Sequence, residues 1–354
     1  MTGKYLNRLL LSSLIGITVL SGLSAKEHDE KKTDLNTKFY FKTDQDRAVS
    51  EYFALGAELE LHFDVSDQWE LEMEVDAATD KIQLEEIWGK VKLAPASVKF
   101  GMFENDLTLD DRLSSTEYLF STDSIIRKRL EYMGWYSPAA TGVLARRNYK
   151  DGELPFSGYA HVMFQPSGRE VQADLGLYYP YGGEDTWLGI SGAYYPFFIH
   201  SNWIGSDNSY TQDHNFLIQA AVADFSDEAL FIYKGDITLG NNLIDPVGFI
   251  HYPGEEGVSW FLGSDLFAGL PLISGDFVWT PALNASFLIH DLSTPEAWSS
   301  SIRMGSRLAW NEMFFIHVDT GLEIDTRYDS DADQNQKLVT GLEVLWGIKI
   351  QVRL

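Results

Sequence analysis

The chain has 354 residues, with 52 acidic against 27 basic side chains and a formal net charge of −25 at pH 7. So acidic a surface repels nucleic acid, and we expect neither DNA nor RNA as a partner. The chain contains no cysteine, which excludes disulfides and thiolate metal sites. Aromatic residues make up 14% of the chain, a share typical of membrane barrels with aromatic side chains at both interfaces.

The N-terminus has the features of a secretory signal peptide over residues 1–25. Lys4 and Arg8 form a basic start, the run from Leu9 to Leu20 is mostly apolar, and Ser21 to Ala25 supply small residues around a cleavage site. The apolar run is shorter than the roughly 20 residues that a membrane-spanning helix needs. We therefore predict that the chain is exported and that this segment is removed.

Removal of Lys4 and Arg8 leaves the mature chain with a formal charge of −27. The segment 26–36 is rich in acidic and other polar residues and is predicted to be a solvated N-terminal tail. We expect the remaining residues, 37–354, to form one folded unit, because no later composition break divides them.

Strict alternation begins soon after the tail. Ala57 to Val65 places apolar residues at every second position, and Trp69 to Ala77 does the same after the short link Ser66-Asp67-Gln68. The intervening positions are acidic, so one face of this hairpin is apolar and the other is charged. In an exported chain with no apolar stretch long enough for a spanning helix, this pattern favours an outer-membrane β-barrel whose two faces meet lipid and water.

Further alternating segments and turn-like links continue the pattern along the chain. Links such as Ala94-Pro95-Ala96, Gln165-Pro166-Ser167-Gly168 and Asn311-Glu312 are short, as expected of periplasmic turns, and Arg327 to Gln336 is predicted to be an outer loop. The fold class predicted is all-β: a transmembrane, antiparallel, up-and-down barrel of about 16 strands, with roughly 14 to 18 possible.

The last strand is predicted to run from Leu342 to the final residue, Leu354, because apolar residues occupy every second position. Such a terminus resembles the strand by which outer-membrane proteins are recognised by the barrel-assembly machinery, although Leu354 stands where Phe is usual. An ordinary edge strand is the alternative.

The segment from Glu104 to Leu130 follows the fifth predicted strand and is too long for an idle turn. Gly101-Met102-Phe103, then Leu107-Thr108-Leu109 and Ser114-Ser115 with Phe120, resemble the phosphate-selective porin O and P family. The resemblance implies a 16-stranded, trimeric solute channel whose third loop folds into the lumen. It does not carry anion selectivity to this chain, since the family's path uses lumen Arg and Lys and this loop is acidic.

Three sets of charged residues are candidates for the pore lining. An acidic wall is predicted on the second and third strands, a constriction on the long loop, and basic residues near that constriction. The acidic wall comprises Glu58, Glu60, Glu70, Glu72, Glu74 and Asp76; the constriction loop carries Asp106, Asp110 and Asp111; the basic candidates are Arg127, Lys128, Arg129, Arg146 and Arg147. Opposed charges across a narrow water-filled gap would filter solutes by charge. The alternative is that these are solvated charges at strand ends and loops.

The function predicted is an outer-membrane porin that lets small hydrophilic solutes or ions diffuse passively. Its expected partners are outer-membrane lipid, lipopolysaccharide, the barrel-assembly machinery and two further copies of the chain in a homotrimer. A closed barrel serving as adhesin or scaffold is one alternative. An outer-membrane hydrolase is another, but no Gly-x-Ser-x-Gly elbow is present. We predict no enzymatic activity, no cofactor and no metal site.

Overall fold

A computed structural model describes residues 33–46, 49–78, 82–103, 120, 124–132, 140–147, 157–164, 171–183, 186–200, 210–225, 230–242, 259–311, 313–330 and 336–353. Its strands are β1 (Thr33–Asp46), β2 (Val49–Ser66), β3 (Trp69–Ala78), β4 (Ile82–Leu93), β5 (Ala96–Phe103), β6 (Ala140–Arg147), β7 (Ser157–Phe164), β8 (Val171–Gly183), β9 (Thr186–His200), β10 (Tyr210–Asp224), β11 (Ile232–Asn242), β12 (Ser259–Gly269), β13 (Leu272–Ser274), β14 (Phe277–Ile289), β15 (Trp298–Trp310), β16 (Phe314–Ser330) and β17 (Gln336–Arg353). One helix, α1 (Ile125–Tyr132), lies between β5 and β6.

The strands form one antiparallel, up-and-down ladder that returns on itself. Each strand pairs with the next along the chain, except that β12 pairs with β14, and β1 pairs with β17 as well as with β2. The short β13 continues the line of β12, and both pair with β14. Counted with β12 and β13 as one strand, the described strands form a ring of sixteen. This confirms the predicted class and strand number. Because β17 is paired on both sides, the alternative of an ordinary edge strand is wrong.

Side chains alternate between an apolar outer face and a polar inner face. On β3, Trp69 and Leu71 are exposed at 42% and 44%, while Glu70 and Asp76 are buried at 7% and 8%. A water-soluble protein buries its apolar face, so this inverted pattern is that of a barrel whose outside meets lipid. The faces predicted for the β2–β3 hairpin are confirmed.

Outward-facing aromatic pairs lie near both ends of the β14–β15 hairpin. Phe277 stacks on Trp310 at one end, with ring centroids 5.7 Å apart, and Phe287 lies beside Trp298 at the other, at 6.0 Å. Such rows are typical of the two interfaces of a membrane barrel. Among the described residues, no helix is long and apolar enough to cross a membrane.

The two ends of the barrel differ in their connections. We call the end with the β2–β3 and β4–β5 turns the turn end, and the opposite end, where β5 finishes, the loop end.

Two strand boundaries and the position of one link differ from the sequence predictions. Strand β1 begins at Thr33, inside the predicted tail. Strand β16 continues to Ser330, into the predicted loop from Arg327. The link from Gln165, predicted to be a periplasmic turn, lies outside the described residues, but it follows β7 at the loop end because Phe164 pairs with Thr141.

Helix α1 was not predicted, and it lies inside the barrel. Ser124 caps its start: the backbone N–H of Arg127 donates to the Ser124 hydroxyl at 3.2 Å. Its apolar residues Ile125, Ile126 and Leu130 are buried in one cluster with residues of the inner wall. The wall residues of that cluster are Ala193, Leu217, Phe261 and Leu288, from β9, β10, β12 and β14. The described part of the long loop after the fifth strand, Phe120 and α1, thus lies inside the barrel, as predicted for this loop.

Candidate pore lining

The six predicted acids of β2 and β3 share the inner face of the barrel. The register pairs Glu58 with Asp76 and Glu60 with Glu74, and it places Glu72 opposite His62. Since residues directly opposite in an antiparallel pair point to the same face, the acidic row is a consequence of the alternation alone. The side chain of Glu58 lies outside the described part, and its place is given by the backbone register.

Strand β4 adds an acid that the sequence did not single out. The β3–β4 register shifts between Glu74 and Val75, and this bulge turns Glu86 to the same inner face. Carboxylate oxygens of Glu72, Glu74 and Glu86 all lie within 4.8 Å of one another. The doubled acid Glu85-Glu86 interrupts the alternation of this strand and was the available sign of the bulge.

Polar partners hold this acidic cluster in place. Nδ1 of His62 lies 3.2 Å from Oε2 of Glu72, and the Trp88 indole N–H donates to Oε2 of Glu86 at 2.7 Å. Nζ of Lys99 lies 3.4 Å from the same Glu86 oxygen and 4.4 Å from the centroid of the Trp88 ring. Lys99 therefore offsets part of the charge of these carboxylates.

Nearer the turn end, the predicted acid Glu70 is neutralised. Its carboxylate lies 2.9 Å from Nζ of Lys90 and also contacts Nζ of Lys92. Neither lysine was among the predicted pore residues, because only the β3–β4 register brings them to Glu70. Glu70 therefore forms an ion-paired group with Lys90 and Lys92, separate from the cluster of Glu72, Glu74 and Glu86.

The predicted basic residues separate into two places. Arg127 and Lys128 lie on α1, and Nζ of Lys128 is 3.9 Å from Oε2 of Glu323 on β16, an acid outside the six predicted. Arg129 belongs to α1, but its side chain is outside the described part. Arg146 shares the inner face with Leu144, which is 4% exposed, and its neighbour Arg147 has the opposite parity. Adjacent residues of a strand point to opposite faces, so only one of the two can be luminal.

The predicted constriction residues Asp106, Asp110 and Asp111 lie outside the described residues. On the inner face of β15 and β17 the structure adds three basic side chains that sequence reasoning missed: Arg303, Arg307 and Lys349. None of the three has a charged residue directly beside it in the sequence, so no local cluster marked it. Arg303 is 2% exposed, and its guanidinium carbon lies 5.6 Å from the centroid of the Phe120 ring.

The inner wall has two unlike halves. From β7 to β14, called here the packed half, nearly every described inward side chain is buried. Its polar members include His161, Gln172, Asp174, Ser191, Gln219, Lys234, Asp236, Thr238, Asp265 and Asn284. Some of these groups lie in pairs: Nδ1 of His161 is 3.1 Å from Oδ1 of Asp174, and Asn284 donates to Asp265 at 2.9 Å.

From β15 through β17 and β1 to β6, called here the open half, most of the described charged inward side chains keep contact with solvent. The half-buried members are Glu60, His62, Glu72, Glu74, Glu86, Lys90, Lys99, Arg146, Arg307, Glu323, Asp325, Glu343 and Lys349. Glu70, Asp76, Arg303, His317 and Asp319 are buried on this side. Helix α1 packs against β9, β10, β12 and β14 of the packed half. The space open to water therefore lies along the open half.

Comparisons with known proteins support the fold. No protein-family model matches the chain, and the curated proteins give no match. Among solved structures, OmpT, an outer membrane protein of Vibrio cholerae, is similar with a TM-score of 0.62 and 12% identity, covering 93% of this chain and 99% of that one. The outer membrane channel DcaP of Acinetobacter baumannii gives 0.58 and 10%, covering 93% and 99%.

An anion-selective porin from Comamonas acidovorans gives a TM-score of 0.54 and 11% identity, covering 92% of this chain and 99% of that one. At such identities the likeness concerns the fold, which is that of outer-membrane barrels of the porin kind. The resemblance to the phosphate-selective porin O and P family is supported to this coarser level.

Proposed function

We propose that the protein is an outer-membrane porin, a water-filled channel through which small hydrophilic solutes or ions diffuse passively. The observation that carries this is the open half: charged side chains remain in contact with water inside a ring whose outer face is apolar. A closed scaffold would have no need of crowded, half-buried carboxylates such as Glu72, Glu74 and Glu86. Catalysis is not part of the proposal, because function would reside in the width and charge of the lumen.

The charge of the open half favours weak cation selectivity. The carboxylates of β2, β3 and β4 would concentrate cations, whereas Lys99, Arg146 and Lys349 lie on the same side and reduce the effect. Charges separated by more than about 10 Å are screened at 0.1 M salt, so only groups close to the narrowest point count. We expect a preference that is small at low salt and fades as salt rises.

The surroundings of the channel follow from the same proposal. The signal peptide at 1–25 would direct export, the apolar outer face would contact outer-membrane lipid and lipopolysaccharide, and strand β17 would be recognised by the barrel-assembly machinery. A homotrimer is proposed as well; a trimer form is recorded for OmpT of Vibrio cholerae, one of the similar structures.

Planar-bilayer recordings test the proposal. The mature chain, folded in detergent, should resist SDS until boiled and then open steady channels, with a reversal potential that indicates weak cation preference under a salt gradient. A folded barrel that opens no channels would contradict the porin function and favour the scaffold alternative. Strong anion preference, with phosphate blocking chloride current, would instead contradict the cation preference and favour the specificity of the phosphate-selective family.

A further inference from the structure

Two glycines of the inner wall face side chains of the inward loop. We propose that Gly263 on β12 and Gly305 on β15 are positioning residues, forming two sockets that hold Phe120 and α1 against the packed half and the adjoining strand β15, and thereby set the width of the water path. The inference rests on the proposed channel function for its consequence, but the sockets themselves can be tested without it.

The first socket receives Ile126 of α1. A Cβ atom added to Gly263 would lie 2.8 Å from Cγ1 and 2.9 Å from Cδ1 of Ile126, closer than carbon atoms normally approach. Ile126 is 1% exposed, and the socket is completed by Phe261 at 0% and Leu288 at 1%. Only glycine at position 263 lets the helix lie this close to the wall.

The second socket receives Phe120, five residues before the helix begins. A Cβ on Gly305 would lie 2.9 Å from Cε1 and 3.1 Å from Cδ1 of the Phe120 ring. The ring meets Phe267 edge-on, with centroids 6.1 Å apart, and the Arg303 guanidinium lies 5.6 Å from its centroid. An aromatic ring is rigid, so it cannot fold away from an added side chain.

The wall at both sockets is fixed, so a filled socket must displace the loop. Strand β12 is paired with β11 and β14, and β15 is paired with β14 and β16. The far side of the loop faces the open half, where Lys128 lies 3.9 Å from Glu323. Any movement of α1 away from Gly263 therefore narrows the path rather than widening it.

A cysteine pair tests the docking directly. With Cγ1 of Ile126 2.8 Å from a Cβ on Gly263 and one further bond of about 1.5 Å to its own Cβ, the two Cβ atoms lie within about 4.3 Å, a separation that a disulfide accepts. The chain has no cysteine, so Ile126→Cys with Gly263→Cys introduces the only thiols. The control pairs Ile126→Cys with Gly192→Cys, since Gly192 is on the outer face.

Mild oxidation should cross-link the first pair in the folded barrel and leave the control pair reduced. The cross-linked protein should still shift in apparent mass on boiling, and its single-channel conductance should equal that of the reduced form. A folded barrel in which the pair does not cross-link would overturn the socket. A cross-link that changes the conductance would also overturn the inference, because the docked helix would then not be the conducting arrangement.

The filled-socket variant tests the consequence. Gly263→Leu combined with Gly305→Leu should lower single-channel conductance roughly twofold or more, because lumen width governs passive diffusion. Gly192→Leu is the matched control, since an added Cβ there meets nothing nearer than 3.8 Å. Unchanged or raised conductance in the double variant would overturn the inference, and if that variant fails to fold, the cysteine pair decides. Cross-linking without any channel activity would reject the porin function and leave the sockets standing.

Discussion

The packed half and the open half use charge in opposite ways. In the packed half, ionisable groups are deeply buried and matched: His161 is close to Asp174, and Nζ of Lys234 is 3.5 Å from Oδ2 of Asp236. In the open half, like charges crowd together, as in the cluster of Glu72, Glu74 and Glu86. Crowded charges of like sign are tolerated where water can solvate them. The comparison supports an off-centre position for the proposed water-filled channel.

The largest difference between the halves should appear in stability. Asp174→Ala leaves His161 buried without its carboxylate, and we expect a loss of about 3 to 5 kcal/mol in the free energy of unfolding. Glu60→Ala removes a carboxylate that water already solvates, and it should cost less than about 1 kcal/mol. Denaturant unfolding from lipid vesicles measures both. Similar losses for the two variants would remove the distinction between the halves.

The outer face should contact lipid all the way around the ring, whereas the interior is divided into two unlike halves. Met304 is 62% exposed and lies midway along β15 between the outward residues Trp298 and Trp310. Met304→Arg should therefore cost about 2 to 4 kcal/mol, as expected for a cation near the bilayer midplane. The matched variant is Leu177→Arg, on the outer face of β8 in the packed half. A cost at one position and none at the other would show that one of these surfaces does not contact lipid.

The alternation of the sequence was sufficient to predict the strands and their faces. Side chains in a strand alternate whatever the surroundings, so Leu61 and Glu60 are assigned to opposite faces before any partner is known. The turn itself is Asp67 and Gln68, one residue shorter than the predicted link, because Ser66 pairs with Trp69. Alternation is a local property, which is why the hairpin and the strand number were predicted correctly.

The asymmetry of the interior could not be predicted, because it depends on where the loop lies. Ile126 and Gly263 are far apart in the sequence, and neither marks the other. Glu86 reaches the inner face through a bulge, and Lys90 and Lys92 reach Glu70 only through the register of β4. Each of these is a non-local consequence of pairing, so a local pattern carries no sign of it.

A smaller effect is expected on ion selectivity when acidic charges of the open half are removed. Replacing Glu72, Glu74 and Glu86 together by Gln should lower the ratio of cation to anion permeability roughly two- to threefold at low salt, because the net negative charge near Lys99 is removed. Folding should be nearly unchanged. The reversal potential under a salt gradient measures the ratio. An unchanged ratio would show that the ion path avoids β3 and β4.

The most direct test of the off-centre water path is the reactivity of single cysteines in the otherwise cysteine-free chain. Glu74→Cys in the open half and Gln219→Cys in the packed half both point inward, but Gln219 is 1% exposed whereas Glu74 is half-buried. A charged, membrane-impermeant thiol reagent should modify the cysteine at position 74 quickly and reduce the channel current, and it should leave position 219 unmodified in the folded barrel. Equal rates at the two positions would contradict the division of the lumen.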